Sequence, residues 1–380
     1  MDSTFSANSV PKVSVIIPAR NEQENLERCL RSLVVQKGVS FEILVVDDAS
    51  TDRTRSIAES FTRVRQCPFA GLNHFLVDVH VLDAPQPLPA GWTGKANAIV
   101  AAEAVALGEW LLFTDADTEH LEGSLAAAVA EAEQHQADLL SYSPEQLLTG
   151  IRQPLLMPII FGELATQYSP RRVSDPALPD AAANGQYLLV RANVHRSLGG
   201  FASVATTLLE DVALARLYKQ QGHKIRFRLG AGLVRTRMYS SWEDLRIGWI
   251  KNLALLFPNA RQLAQKRSAE FYSLILTKVI AVFLTFWFLL HLGASRNSLL
   301  PVVLFVLWLF TILKFAIFYA RVARAHFPFW PTVFSVLGLP LFAGLLRQSA
   351  SAHEQGTVTW RGRSYPTAGA ESHSSASNSK

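Results

Sequence analysis

Asp115 and Asp117 stand two residues apart in LLFTDADTEH, immediately after an apolar run. Alternate residues of an extended strand face the same way, so both carboxylates are expected on one side of the chain. Two like charges buried there without a partner would cost on the order of several kcal/mol. A cation beside them would remove that cost. A helix cap followed by a turn would also use Asp and Thr, so the pair alone leaves both readings open.

The elements that must position these residues favour the cation. VSVIIPA is a short β-branched run with the pattern of a buried strand. Asn21 can cap the helix that follows, in which Leu26, Cys29, Leu30, Leu33 and Val34 recur at helical spacing. FEILVVDD is a second buried strand, and STDRTRSIAESF continues as a helix behind capping residues. Residues 79–82 and 110–114 read as further strands. Strands alternating with helices imply an α/β fold, a mostly parallel sheet covered on both faces. Ligands of such sheets bind beyond the carboxyl ends of the strands. Pro18, Asp47, Asp48, Asp115 and Asp117 all fall at those ends, a convergence that unrelated caps would not need.

At 380 residues the chain is longer than a typical single soluble domain. Its apolar residues, 49% of the total, are concentrated beyond residue 270 in runs at 271–293, 299–320 and 328–346. Each is close to the roughly 20 residues that cross a bilayer, so a multi-pass membrane protein is expected. Lys278 and Lys314 interrupt the first two runs and would snorkel or face a polar groove. MDSTFSANSVPK has no apolar core of a signal peptide, so the large domain is expected on the cytoplasmic side of an inner membrane. Arg321 and Arg324 between the second and third runs, against Arg296 alone between the first and second, agree with that orientation. The net charge of +5 goes with no basic patch interleaved with aromatics, so no nucleic-acid partner is expected. Cys29 and Cys67 form no zinc-like cluster or disulfide framework.

Several motifs in order carry a resemblance. VSVIIPARNEQENLERCLRSL, EILVVDDASTDRT, GKANAI and LLFTDADTEH, followed by NGQYLLVRANVHRSLGGF, LLEDVALARLYKQQGHKI and RMYSSWEDLRIGWIKN, resemble the nucleotide-sugar domain of family-2 glycosyltransferases. That family has the GT-A fold. GWTGKANA and TVTWRGRSY further resemble bacterial membrane members that glycosylate lipids, such as carotenoid glucosyltransferases and hopene-associated enzymes. The resemblance implies a GT-A domain over residues 12–255 after a flexible segment 1–11. A membrane domain over 256–347 with two or three spans and a tail over 348–380, disordered after about residue 366, would follow.

It also implies roles. Asp117 would bind Mg2+ or Mn2+, and Asp115 the ribose or donor sugar. Asp48 and Asp47 would accept hydrogen bonds from the nucleoside, in a pocket lined by Pro18, Ala19 and Glu22. Lys95 would meet donor phosphate or ribose, and Asn184 with Gly185 would shape the sugar pocket. Asp211, beside Glu210, would be the general base that deprotonates the acceptor. The donor is expected to be a UDP-sugar, the acceptor a membrane lipid and the product inverted. A sugar nucleotidyltransferase, or a catalytically inactive nucleotide-binding membrane protein, is the alternative. PARNE in place of a Gly-rich loop and the full set of carboxylates speak against them.

One departure is RIGW, where processive synthases of the family carry Q-x-x-R-W. Arg246 and Trp249 share a helix face. Arg246 could meet phosphate while Trp249 packs against acceptor or lipid headgroups; an interfacial helix would favour the same residues. The run 155–168, interrupted by Pro158, is too short to span. In the third apolar run, a break near Pro340 would let the chain re-enter and leave the tail, with Trp360, Arg361 and Arg363, on the cytoplasmic side. His120, His195 and His223 have no ligand-like spacing.

Overall fold

The computed structural model describes residues 10–62, 77–291, 299–360 and 363–366. The expectations for Cys67, Arg296, Arg361 and the side chain of Trp360 lie outside the described residues, as do those for most of the tail. Two compact units form: residues up to Leu147 with Tyr168–Met238, and Leu148–Gln167 with the residues from Tyr239 onward.

The first unit is built on a seven-stranded sheet. Its strands are β1 (Val13–Ala19), β2 (Phe41–Asp47), β3 (Asp78–Asp83), β4 (Trp110–Phe113), β6 (Leu139–Ser143), β8 (Leu188–Arg191) and β9 (Ile225–Leu229). Between and after these run β5 (Thr118–His120), β7 (Glu145–Gln146) and β10 (Val234–Thr236), which form a small second sheet. The main sheet has the order β3-β2-β1-β4-β8-β6-β9. Only β8 runs against its neighbours. Val13, Val15 and Ile17 bury one face, and Ile16 with Leu44 and Val46 the other. This is why VSVII is apolar at every position but Ser14, whose buried hydroxyl donates to Glu42 Oε1: strands covered on both sides have no solvent face to alternate with.

Register places the carboxylates. Ala19 lies beside Asp47, so the ends of β1 and β2 are level. Phe113 pairs with Ile16, so the chain leaves β4 alongside the last residues of β1. Antiparallel β8 pairs Leu188 with Phe113, which brings the preceding residues 184–187 to the same end of the sheet. Asn21 does not cap the next helix. It adopts a left-handed conformation (φ 54°) and accepts the Thr51 N–H, and the helix Leu26–Val34 starts after Asn25.

The second unit is helical: Arg152–Gln167, Trp242–Leu256, Ala260–Leu290, Leu299–Val322 and Leu339–Glu354 are its longer helices. Ala260–Leu290, Leu299–Ala325 and Phe329–Glu354 are long and apolar enough to cross a membrane. The first two expose Leu276, Phe283, Phe286, Phe305 and Phe310, while more of the third is covered, 39% of its apolar window against 11%. The third run is interrupted by a short 3₁₀ turn, Ser335–Gly338, just before Pro340 at the start of Leu339–Glu354. That last helix packs through polar groups: Ser349 Oγ donates to Ile250 O (2.5 Å) and accepts from Ala254 N (2.8 Å). Glu163 meets Arg267 and Arg321 at 2.8 and 2.9 Å, and Glu270 pairs with both arginines, so this buried cluster is charge-balanced. Arg152–Gln167 continues through Pro158 over 16 residues, too short to span.

Gly338 is fixed by a close approach. A Cβ there would lie 2.1 Å from Leu155 O and 2.7 Å from its carbonyl carbon, backbone atoms that cannot turn aside. Gly338→Ala should therefore force two helices apart at an overpacking cost of roughly 1–3 kcal/mol. Thermal unfolding of the detergent-solubilised protein should show a lower midpoint; an unchanged midpoint would contradict this packing.

Candidate active site

At the ends of β1 and β2, Asp47 and Asp48 are 6% and 4% exposed. Asp48 N donates to Ala19 O (2.9 Å), which ties the two strand ends together. Ser50 N donates to Asp47 Oδ1 (3.3 Å) and Arg20 Nη1 to Asp48 O (2.8 Å). Pro18 pairs with Val46 within the sheet. Glu22 donates its N–H to Thr54 Oγ1 (2.7 Å) and accepts Asn25 Nδ2 on Oε2 (2.9 Å), which fixes the PARNE turn.

Asp115 and Asp117 are not on one strand face. β4 ends at Phe113, and the two residues lie in a turn closed by Thr118 N donating to Asp115 O (3.1 Å). The turn separates their surroundings. Asp115 Oδ1 pairs with Lys95 Nζ at 2.8 Å, and the same ammonium meets Glu210 Oε1 at 3.1 Å. Burial lowers the Lys95 pKa, but Asp115 and Glu210 outweigh it and hold the ammonium well above the usual lysine range. Asp117 has no such cation: its buried Oδ1 has no hydrogen-bond partner among the described residues. Burial, then the charges of Asp115 and Glu22, push its carboxyl up to about 7. An ionised carboxylate in that setting fits a divalent cation. Among the described residues no group of three His, Cys, Asp or Glu could hold a metal by itself. A site with one or two carboxylates suits Mg2+ or Mn2+ completed by substrate phosphate oxygens.

Glu210 and Asp211 open the helix Glu210–Gln220. Asp211 Oδ2 accepts the Gly185 N–H at 2.8 Å. Burial and the neighbouring charge of Glu210 push the Asp211 carboxyl up to about 6, against the pull of Lys95. A Cβ on Gly185 would stand 3.0 Å from Lys95 Nζ and 3.5 Å from Asp211 Oδ2, so the glycine lets the turn approach both. Asn184 braces this turn, its Oδ1 accepting Gln186 N at 2.9 Å.

The fold thus brings Lys95, Asp115, Glu210, Asp211 and Gly185 into one network, with Asp117 two residues from Asp115, and Asp47 and Asp48 at the same end of the sheet on β2, with β1 between β2 and β4. Arg246 and Trp249 belong to the second unit. Trp249 does not face a headgroup: it is 3% exposed, with its ring edge-on to Phe161 at 6.1 Å. Arg246 is held by Glu243 at 2.7 Å and donates to Gln348 at 3.2 Å. Gln186 and Thr236, which brace the Asp117 turn, escaped the motif analysis. Gln186 stands inside NGQY, while Thr236 belongs to no motif.

Residues 14–147 match the family described as Glycosyl transferase family 2. This stretch is a family-2 glycosyltransferase domain, and its mixed, mostly parallel sheet is GT-A-like. A relative is the 4,4'-diaponeurosporenoate glycosyltransferase of Staphylococcus aureus, 25% identical over 250 residues, 64% of this chain and 60% of the relative. The chain is thus aligned to about three fifths of that relative's length. Among solved structures, a mannosyltransferase from Pyrobaculum calidifontis in complex with GDP-Man and Mn2+ is similar at a TM-score of 0.49. It is 17% identical, with 91% of this chain and 87% of that one covered. Glucosyl-3-phosphoglycerate synthase from Mycobacterium tuberculosis, with Mn2+, uridine diphosphate and glucosyl-3-phosphoglycerate, is similar at 0.41. It is 18% identical, with coverages of 65% and 79%.

Proposed function

We propose that the chain is an inverting, metal-dependent glycosyltransferase that moves one sugar from a nucleotide-sugar, of UDP type, to a membrane lipid. The observation that carries this is the convergence of Asp115, Lys95, Glu210 and Asp211 beside Asp117, whose buried Oδ1 has no hydrogen-bond partner among the described residues. Asp47 and Asp48 accept hydrogen bonds from the nucleoside, in the pocket lined by Pro18, Ala19 and Glu22. Asp115 and Lys95 orient the donor's ribose and phosphate, and Asn184 with Gly185 bound the sugar. Asp117 would hold Mg2+ or Mn2+, which when bound would supply positive charge to stabilise the leaving nucleoside diphosphate. Asp211 takes the acceptor proton as the acceptor oxygen attacks the anomeric carbon and the bond to the pyrophosphate oxygen breaks. One base and one leaving group suffice for direct inversion.

Three apolar helices and a relative named for 4,4'-diaponeurosporenoate support an apolar acceptor presented by a membrane. We place the catalytic domain on the cytoplasmic face of an inner membrane, in line with Arg321 and Arg324 between the second and third apolar runs. Arg246, held beside Glu243, meets phosphate on the acceptor side.

Purified full-length chain in detergent, given UDP-glucose, UDP-N-acetylglucosamine or GDP-mannose with Mn2+, should release a nucleoside diphosphate from one of them. EDTA should stop it. With pyrophosphate added, release of a sugar 1-phosphate together with a nucleoside triphosphate would instead mark a nucleotidyltransferase.

The pH profile should carry the signature of the base. Asp211 must be ionised to take a proton, so turnover should fall as pH drops through about 6 and reach a plateau above it. Glu210 raises the Asp211 pKa, so Glu210→Gln should move the acid limb to lower pH. A limb that stays in place, or moves up, would exclude this electrostatic assignment.

A further inference from the structure

We propose that Gln186 is a positioning residue that sets the spacing between Asp117 and Asp211, a role that rests on the mechanism above. Gln186 is 5% exposed. Its Nε2 donates to Thr236 Oγ1 at 3.1 Å, and that hydroxyl donates to Asp117 O at 3.3 Å. A hydroxyl has a single proton to donate, so with Gln186 Nε2 donating to it the chain of donors runs one way. The Gln186 carbonyl accepts Thr114 Oγ1 at 2.8 Å and Thr118 Oγ1 at 3.4 Å, the residues on either side of Asp115–Asp117. The Gln186 N–H closes the turn on Asn184 Oδ1, and inside that turn Gly185 N holds Asp211 Oδ2 at 2.8 Å. The metal-side turn and the base are therefore held by adjacent residues of one segment.

The side chain itself argues for a role beyond filling space. Gln186 Oε1 is buried without a partner among the described residues. An apolar side chain of the same length would fill the volume and leave no orphaned acceptor. What it would lose is the bond to Thr236, and with it the brace on the Asp117 backbone. Groups that orient a metal ligand without touching the metal typically control metal affinity by 10- to 100-fold.

The test is calorimetric titration of full-length protein in detergent with UDP and with GDP, each with and without Mn2+. Gln186→Met should leave metal-free nucleotide affinity within about twofold of wild type and cut the Mn2+-dependent gain roughly tenfold or more. Thr236→Val should do the same, Thr236→Ser should restore the gain, and the double variant should be no worse than the worse single one. A full Mn2+ gain in Gln186→Met would overturn the proposal. So would losses that multiply in the double variant, or an equal fall in metal-free affinity, which would mark general loosening. Wild-type protein that gains nothing from Mn2+ with either nucleotide would instead remove the mechanism on which the proposal rests.

Discussion

Asp117→Ala is expected to abolish sugar transfer and to remove the metal dependence of donor binding. Asp117 is the carboxylate whose buried Oδ1 has no partner among the described residues, and its environment makes ionisation costly without a cation. A metal held by one protein carboxylate and substrate phosphates loses its principal protein ligand in this variant. Donor affinity measured without metal should be little changed, because Asp47 and Asp48 lie on a different strand end. Calorimetry with and without Mn2+ separates the two effects. A variant that still binds donor more tightly with Mn2+ would move the metal to another residue.

Asp211→Asn should keep donor affinity and lower turnover by roughly 10²- to 10⁴-fold, the range for loss of a general base. The substitution is nearly isosteric, and its one carbonyl oxygen can keep the Gly185 N–H that Asp211 Oδ2 holds at 2.8 Å, while the Val212 N–H that Asp211 Oδ1 accepts at 2.8 Å loses its acceptor. The turn at Gly185 should therefore survive, with one backbone bond lost in the first turn of the helix. What disappears is the group able to take a proton. Steady-state kinetics should show the loss in kcat with KM for the donor nearly constant. Turnover within about threefold of wild type would place the base elsewhere.

The sheet was legible because buried strands need apolar side chains on both faces, and VSVIIPA and FEILVV are apolar apart from Ser14 and Glu42, which bond to each other. The convergence of Asp47, Asp48, Asp115 and Asp117 followed from where those strands must end. Their detailed surroundings did not follow. The i, i+2 argument failed for Asp115 and Asp117 because the strand stops at Phe113 and a turn aims the two carboxylates at different partners. Lys95 reaches Glu210 across a distance in sequence that no local motif spans. Gln186 and Thr236 are linked by a bond between residues 50 positions apart. For Trp249, helical spacing with Arg246 said which side it shared with its neighbour but not that this side was inside, against Phe161. Asn21 had the right chemistry for a cap, but PARNE needed it in the left-handed turn instead.

The most direct test of the account is transfer itself. Full-length protein in detergent would be incubated with Mn2+, a bacterial lipid extract and UDP-glucose, UDP-N-acetylglucosamine or GDP-mannose carrying a ¹⁴C-labelled sugar. The account predicts that label from one donor enters the organic phase on an apolar lipid, with inverted anomeric configuration, and that EDTA or Asp117→Ala prevents it. Label that stays wholly in the aqueous phase with every donor, while the wild-type protein binds nucleotide, would contradict it.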